Sequence, residues 1–199
     1  MYLQFLYYQT IINHLKKHTF ETNSFFITKM NIIKFSANYG SIAGLACFGL
    51  FILFTLLGLN PFNGWNIFTA IIPIFFIYLG IRTFRDRENA GYINFGTSFR
   101  VSLFITFFYS SLFAILIFMY LQFVSPDLVN ETKRITMENM DKLESRISSE
   151  MYDKMIEGVE NMNAAQIAWG RYWNNLIWGV IIGLILSGIL KKDKNIFEE

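Results

Sequence analysis

An all-α integral membrane protein with four transmembrane helices is the fold class this sequence predicts. Four apolar stretches, at about 37–59, 62–79, 101–124 and 174–190, contain no Asp, Glu, Lys, Arg or His. A hydrocarbon core about 30 Å thick takes about 17–25 helical residues to cross, so each stretch is long enough. Charged residues make up 16% of the chain, against about 25% in a soluble domain. The chain also carries 22 Phe and 10 Tyr, side chains that lipid-facing and interfacial surfaces accept readily.

Residues 1–29 form an N-terminal extension, apolar first and basic afterwards, which is the reverse of a secretory signal. It reads as disordered or as a short interfacial helix. A second reading starts translation at Met30, with Met30-Asn31-Ile32-Ile33-Lys34 leading into span one. Residues 30–194 are then the four-span domain and 195–199 a short tail. Span one holds the single cysteine, Cys47, which excludes an intramolecular disulfide and reads as a small packing residue. Asn60-Pro61-Phe62-Asn63-Gly64 is a tight turn, so spans one and two form an antiparallel hairpin. Pro73 in span two removes a backbone hydrogen bond and predicts a kink.

Basic residues near span ends set the orientation. Lys16, Lys17, Lys29 and Lys34 precede span one, Arg82, Arg85, Arg87 and Arg100 lie between spans two and three, and Lys191, Lys192 and Lys194 follow span four. In the 125–173 segment acidic residues outnumber basic ones. Both termini and the 82–100 loop are therefore expected in the cytoplasm, with the chain in the inner membrane of a bacterium. Trp65, Trp169, Tyr172, Trp173 and Trp178 then mark the outer interface.

Between spans three and four an outer helical segment is expected at about 126–172. Ser125-Pro126-Asp127 is a helix start. Met140, Leu143, Ile147, Met151 and Met155 recur at helical spacing, and this predicts one amphipathic extracytoplasmic helix, broken at Gly158 or Asn161–Asn163. Its methionine face is either a partner-binding surface, a membrane-lying face, or a face packed on the protein's own spans. Copper ligation is disfavoured because no Cys or His lies nearby.

Small residues recur every fourth position at Ser36, Gly40 and Gly44 in span one, and at Gly179, Gly183 and Ser187 in span four. Such faces let helix backbones approach closely. They serve either a contact between spans one and four or a homo-oligomer, the first being favoured. Ser102, Thr106, Ser110 and Ser111 give span three a hydroxyl-bearing side, which is weak support for a polar path because no ionisable residue accompanies it.

The loop after span two is the most specific stretch. Arg82, Arg85, Asp86, Arg87 and Glu88 alternate in sign, and Asn89, Gly91 and Tyr92 form a turn. Arginines that hold the loop in the cytoplasm explain part of it. The carboxylates and the Gly-Tyr-x-x-Phe-Gly pattern point to a compact loop with internal ion pairs, or to a docking site. The run Leu-Gly-Ile-Arg-x-Phe-Arg-Asp-x-Glu-Asn-x-Gly-Tyr-Ile-x-Phe-Gly from Leu79 resembles the signature of domain of unknown function family 4199. The resemblance extends from about Met30 to Lys194 and implies small bacterial membrane proteins with four spans and no established activity.

The function expected is a non-enzymatic scaffold or modulator of another membrane component, acting through the 82–96 loop or the outer helix. The alternative is a small oligomeric transporter, channel or lipid-handling subunit. An enzyme ranks last. The only histidines, His14 and His18, lie in the extension, and no nucleophile accompanies Asp86 and Glu88. No catalytic residue, metal ligand or cofactor is expected. The partners are the lipid bilayer and a membrane protein or second copy, and a net charge of +2 does not point to nucleic acid.

Overall fold

The computed structural model describes residues 32–62, 66–142 and 147–193. Among the described residues six α-helices follow in order, two of them ending in a π-turn: α1 (Ile32–Leu56), α2 (Asn66–Thr83) with its π-turn (Phe84–Glu88), α3 (Phe95–Met119) with its π-turn (Tyr120–Val124), α4 (Asp127–Asp141), α5 (Ser149–Glu160) and α6 (Ala164–Leu190). No strand occurs among the described residues, only an isolated antiparallel bridge between Ile93 and Lys192. Three helices are long and apolar enough to cross a membrane: Ile32–Leu56, Phe95–Val124 and Ala164–Leu190.

The helix ends follow from local chemistry. α1 stops because Gly58 takes a φ of +70°, which lets Leu59 N–H donate to Phe54 O at 2.9 Å and Gly58 N–H to Thr55 O at 3.0 Å. That is a glycine-terminated helix end whose last carbonyls are satisfied. α3 starts at Phe95, earlier than the apolar run, because Asn94 Oδ1 accepts from Thr97 N–H at 2.8 Å. α6 starts at Ala164 because Asn163 and Gln166 cap each other reciprocally, at 2.9 and 3.0 Å. The two longest spans therefore extend past their apolar runs, and α6 carries Trp169, Arg171 and Trp173 on its first turns. α2 continues helically through Pro73.

α3 is the centre of the bundle. Its small hydroxyl residues Ser98, Ser102, Thr106 and Ser110 are all fully buried. Five glycines of the other helices, Gly40, Gly44, Gly80, Gly179 and Gly183, lie directly against it. A Cβ at Gly40 of α1 would sit 2.7 Å from Ile105 O, and one at Gly80 of α2 would sit 2.3 Å from Ile105 Cδ1. From α6, a Cβ at Gly179 would meet Thr106 Cγ2 at 2.2 Å and one at Gly183 would meet Ser102 Oγ at 2.5 Å. Ser36 Oγ donates to Val101 O at 3.3 Å, and Ser187 is buried. The two small-residue stripes are thus spent on neighbouring faces of α3. They do not face each other, which corrects the expected contact between spans one and four. Of the span-three hydroxyl residues, Ser102 and Thr106 lie buried against the α6 stripe, Ser110 is buried, and Ser111 is half-buried.

Two cores stack along the bundle. At one end, the loop end, Ile32, Ile77, Ile81, Phe84, Ile93 and Leu190 pack together. At the other, the hairpin end, Phe51, Phe113, Leu121, Leu128 and Ile167 do so. The outward faces are apolar as well. Leu45, Leu53, Ile71, Phe75, Ile115, Ile177 and Ile185 are all exposed, the inverse of a water-soluble surface.

The predicted single outer helix is two. α4 and α5 are separate helices, the second opened by Ser148, whose Oγ accepts from Met151 N–H at 3.4 Å. Lys133 Nζ donates to Glu160 O at 2.7 Å and Tyr152 OH to Asp141 Oδ1 at 2.7 Å, so the two run antiparallel as a hairpin. Apolar spacing persists across the break, which is why periodicity alone reads it as one helix. The predicted break before span four falls at Asn161–Asn163, where α5 ends and α6 begins.

The packing gives a direct test. Gly179→Ala should destabilise the protein by about 1–3 kcal/mol, the usual magnitude of overpacking. Gly188→Ala, where a Cβ meets nothing within 4 Å, should change stability by less than about 0.5 kcal/mol. Thermal unfolding in one detergent would compare them, and equal melting temperatures for both variants would refute the close approach.

Candidate functional site

The signature loop closes onto the chain itself. Phe84 and Ile93 are buried and anchor its two ends. Between them the backbone reverses through Ala90 at φ 51° and Gly91 at φ 84°. Gly91 N–H donates to Arg85 O at 2.9 Å, and Asn89 Nδ2 donates to Tyr92 O at 2.6 Å. Ile93 and Lys192 exchange backbone hydrogen bonds at 2.9 and 2.8 Å, Arg85 Nη1 donates to Leu190 O at 3.5 Å, and the Lys192 ammonium lies 5.5 Å from the Tyr92 ring centre. The loop is therefore a clamp on the C-terminal end of α6. Arg85 serves two partners, since its Nε also donates to Asp86 Oδ1 at 2.8 Å. Arg82 lies 3.8 Å from the same carboxylate. The Arg85 hydrogen bond, aided by the charges of Arg85, Arg82 and Lys192, holds the Asp86 carboxyl below its ordinary value. Arg87 and Glu88 are exposed, and neither forms an ion pair among the described residues.

The outer methionines divide. Met140 is buried, Ile147 is half-buried, and Met151 and Met155 are exposed at 55% and 39%. Leu143 lies outside the described residues. Met140, Val159 and Leu128 hold the hairpin down, Leu128 against Ala164, Ile167 and Ala168 of α6. The far side of α5 presents the two free methionines.

Beneath the hairpin is a feature that sequence reasoning missed. A cavity of about 460 Å³ opens between α1, α2, α3 and α6. Its walls are apolar where Cys47, Ala70, Pro73, Phe113 and Ile182 line it, and polar where Arg171, Asn174, Asn175 and Tyr109 do. A second, shallower pocket of about 380 Å³ shares Arg171 and Asn174 and is walled by Thr132 and Thr136 of α4 and Gly158 of α5. Arg171 thus stands at the junction of the bundle cavity and the space below the hairpin.

Arg171 is half-buried, and its guanidinium lies 4.9 Å from the centre of the Phe62 ring. A contact of that kind contributes about 0.5–2 kcal/mol. No carboxylate among the described residues lies within ion-pair distance of it. Asn175 Nδ2 is buried without a hydrogen-bond partner among the described residues, and an amide left so costs about 1–3 kcal/mol. Trp169, Tyr172 and Trp173 stack on one another around the same turn.

A signal for this site was present in the sequence. Stepping back by fours from Ser187, Gly183 and Gly179 reaches Asn175 and then Arg171. The same helix side that supplies the small-residue stripe ends in a polar pair. The cavity itself is made by four helices, and no single segment encodes it.

Among known protein families, the one described as "Protein of unknown function (DUF4199)" matches residues 38–192. The match takes in the loop clamp, both glycine stripes, the hairpin and the cavity. No curated protein and no solved structure matches the chain.

The clamp has a testable pH signature. Because the Asp86 carboxyl is held below its ordinary value of 3.8, its contribution is fully present above that value and is lost as the pH falls through the lowered one. Amide exchange at Ile93 and Lys192, expressed relative to the intrinsic rate at each pH, should therefore be slow and constant from neutral to mildly acidic pH. Asp86→Asn should speed it at neutral pH. Unchanged protection in that variant would mean that Asp86 does not hold Arg85 in place.

Proposed function

The chain belongs to the DUF4199 family, and we propose that it is a four-span membrane protein that holds an amphiphile between its helices without catalysing a reaction. The fourth span is α2. It bears exposed Ile71, Ile74 and Phe75, and it connects the hairpin end to the loop end. The basic residues of the loop and of the end of α6 gather at one end of the bundle, which supports cytoplasmic termini in a bacterial inner membrane.

The observation that carries the reading is the cavity. Its apolar walls are made by side chains at span depth, and Arg171, Asn174 and Asn175 line it from the part of α6 that also bears Trp169 and Trp173, rings that favour the headgroup level. An amphiphile matches both parts at once. The polar side chains that line it are Arg171, Asn174, Asn175 and Tyr109, with no carboxylate or imidazole to move a proton, so binding suits it better than turnover.

The scaffold reading keeps support from one place. Met151 and Met155 on the exposed side of α5 are adaptable apolar contacts. If they meet another membrane component, Met151→Glu should abolish in-cell cross-links from α5 while leaving the melting temperature unchanged. A fall in melting temperature would instead mark Met151 as packing.

For the amphiphile, native mass spectrometry of the protein released from a mild detergent should show a retained lipid-sized adduct. Ala70→Trp, which fills the cavity from α2, should reduce that adduct at least fivefold with little change in unfolding temperature. A wild-type protein that carries no adduct, and gains none on addition of lipid, would refute the reading.

A further inference from the structure

The cavity's polar end identifies the kind of head group it takes. We infer that Arg171 and Asn175 form a seat for an anionic oxygen group, a phosphate or carboxylate, carried by an amphiphile whose chain lies along Phe113 and Ile182. The inference rests on the amphiphile reading above and adds the charge of the ligand.

Three independent observations converge on it. The Arg171 guanidinium lines the cavity with no carboxylate among the described residues in ion-pair range, and the Phe62 ring, 4.9 Å from its Cζ, is not an oxygen acceptor for its N–H groups. A planar guanidinium offers paired N–H donors that match two oxygens of a phosphate or carboxylate. One turn further along α6, the Asn175 amide nitrogen is a buried donor without an acceptor, lining the same cavity. Two unsatisfied donor groups on one side of one helix ask for an acceptor-only partner. The height agrees as well. Trp169, Tyr172 and Trp173 lie on the same two turns as Arg171 and contact one another, and such rings settle at the headgroup level of a bilayer.

Cation–π stabilisation alone, the plainer account of Arg171, explains neither the asparagine nor the cavity. It predicts that Lys could replace Arg with no effect on lipid choice. A seat for paired oxygens predicts that Lys keeps attraction and loses the fork geometry.

The test uses the full chain in detergent, titrated with phosphatidylglycerol, phosphatidylcholine and inorganic phosphate, and read by native mass spectrometry and by melting temperature. Wild type should retain phosphatidylglycerol at least tenfold better than phosphatidylcholine. Arg171→Gln should bring the two lipids level, chiefly by weakening the anionic one, and Arg171→Lys should fall between. Asn175→Leu, which removes the amide but leaves the charge, should lower phosphatidylglycerol retention severalfold. Equal retention of both lipids by wild type, or a preference that survives in Arg171→Gln, overturns this inference and leaves the amphiphile reading standing. Inorganic phosphate that raises the melting temperature as much as phosphatidylglycerol, through Arg171, would make the ligand a free anion and overturn the amphiphile part. No lipid bound at all sinks the amphiphile reading first and this inference with it.

Discussion

The close approach of three helices to α3 is the constraint on which the rest depends. Within lipid no hydrophobic drive pulls one apolar helix onto another, so contact area at short range has to supply the attraction. Gly40, Gly80, Gly179 and Gly183 permit that range, because a Cβ at any of them would fall within 2.7 Å of an α3 atom. α3 answers with small buried side chains, Ser102 and Thr106, where α6 arrives. Their hydroxyls offer polar contact without the bulk that would push α6 away. A sequence that reads as a polar pathway is, in three dimensions, the mortar of the bundle.

Tight packing at the loop end and a cavity at the hairpin end are two consequences of one geometry. At the loop end, Phe84, Ile93 and Leu190 fill the space, and the backbone exchange between Ile93 and Lys192 ties the end of α6 to the α2–α3 loop. There Arg82 and Arg85 both meet Asp86, and Arg85 also reaches the Leu190 carbonyl at the end of α6. At the hairpin end the small residues of α6 give way to Asn175 and Arg171. The helices are still held together by Ala43, Ala164 and Ala168, and the space between them is left to polar groups and the cavity they line.

The three helices long and apolar enough to cross a membrane, Ile32–Leu56, Phe95–Val124 and Ala164–Leu190, were legible because an uncharged run of about 20 residues has few other uses. Their ends were less so. Arg171 and Asn174 look like the edge of span four, yet the capping pair Asn163 and Gln166 starts α6 more than a turn before Arg171. A capping box is a local signal and could have been read from Asn-Ala-Ala-Gln. The hairpin could not be read in the same way. Its helices are joined by long-range contacts, Lys133 to Glu160 and Asp141 to Tyr152, while the apolar spacing of Met140, Met151 and Met155 runs on as though uninterrupted. The signature loop was legible as something specific, and the ambiguity between internal pairing and outside docking turned on the partner of Arg85. That partner, Leu190, is 105 residues away, a distance over which sequence pattern carries no information. The cavity is further still from the sequence, since its walls come from four helices.

Why an arginine occupies this height at all is a question of electrostatics. A guanidinium near the hydrocarbon boundary can extend its side chain toward water, and an isolated surface arginine on α6 would do so at little cost. Arg171 instead turns inward, over Phe62 and beneath α4 and α5. That choice gives up hydration, and the ring face returns only part of it. The hairpin compounds the effect. By docking Leu128 on Ala164 and Ile167, it limits the solvent that could replace the lost hydration, so electrostatic attraction to an anion there is screened less than at an open surface. The pocket below the hairpin and the bundle cavity adjoin, with Arg171 and Asn174 common to both. A cation held at such a junction acts on whatever passes or lodges there. The arrangement therefore ties the position of the hairpin to the strength of the cation beneath it, and any shift of α4 and α5 away from α6 would rehydrate Arg171 and weaken its hold on a negative group.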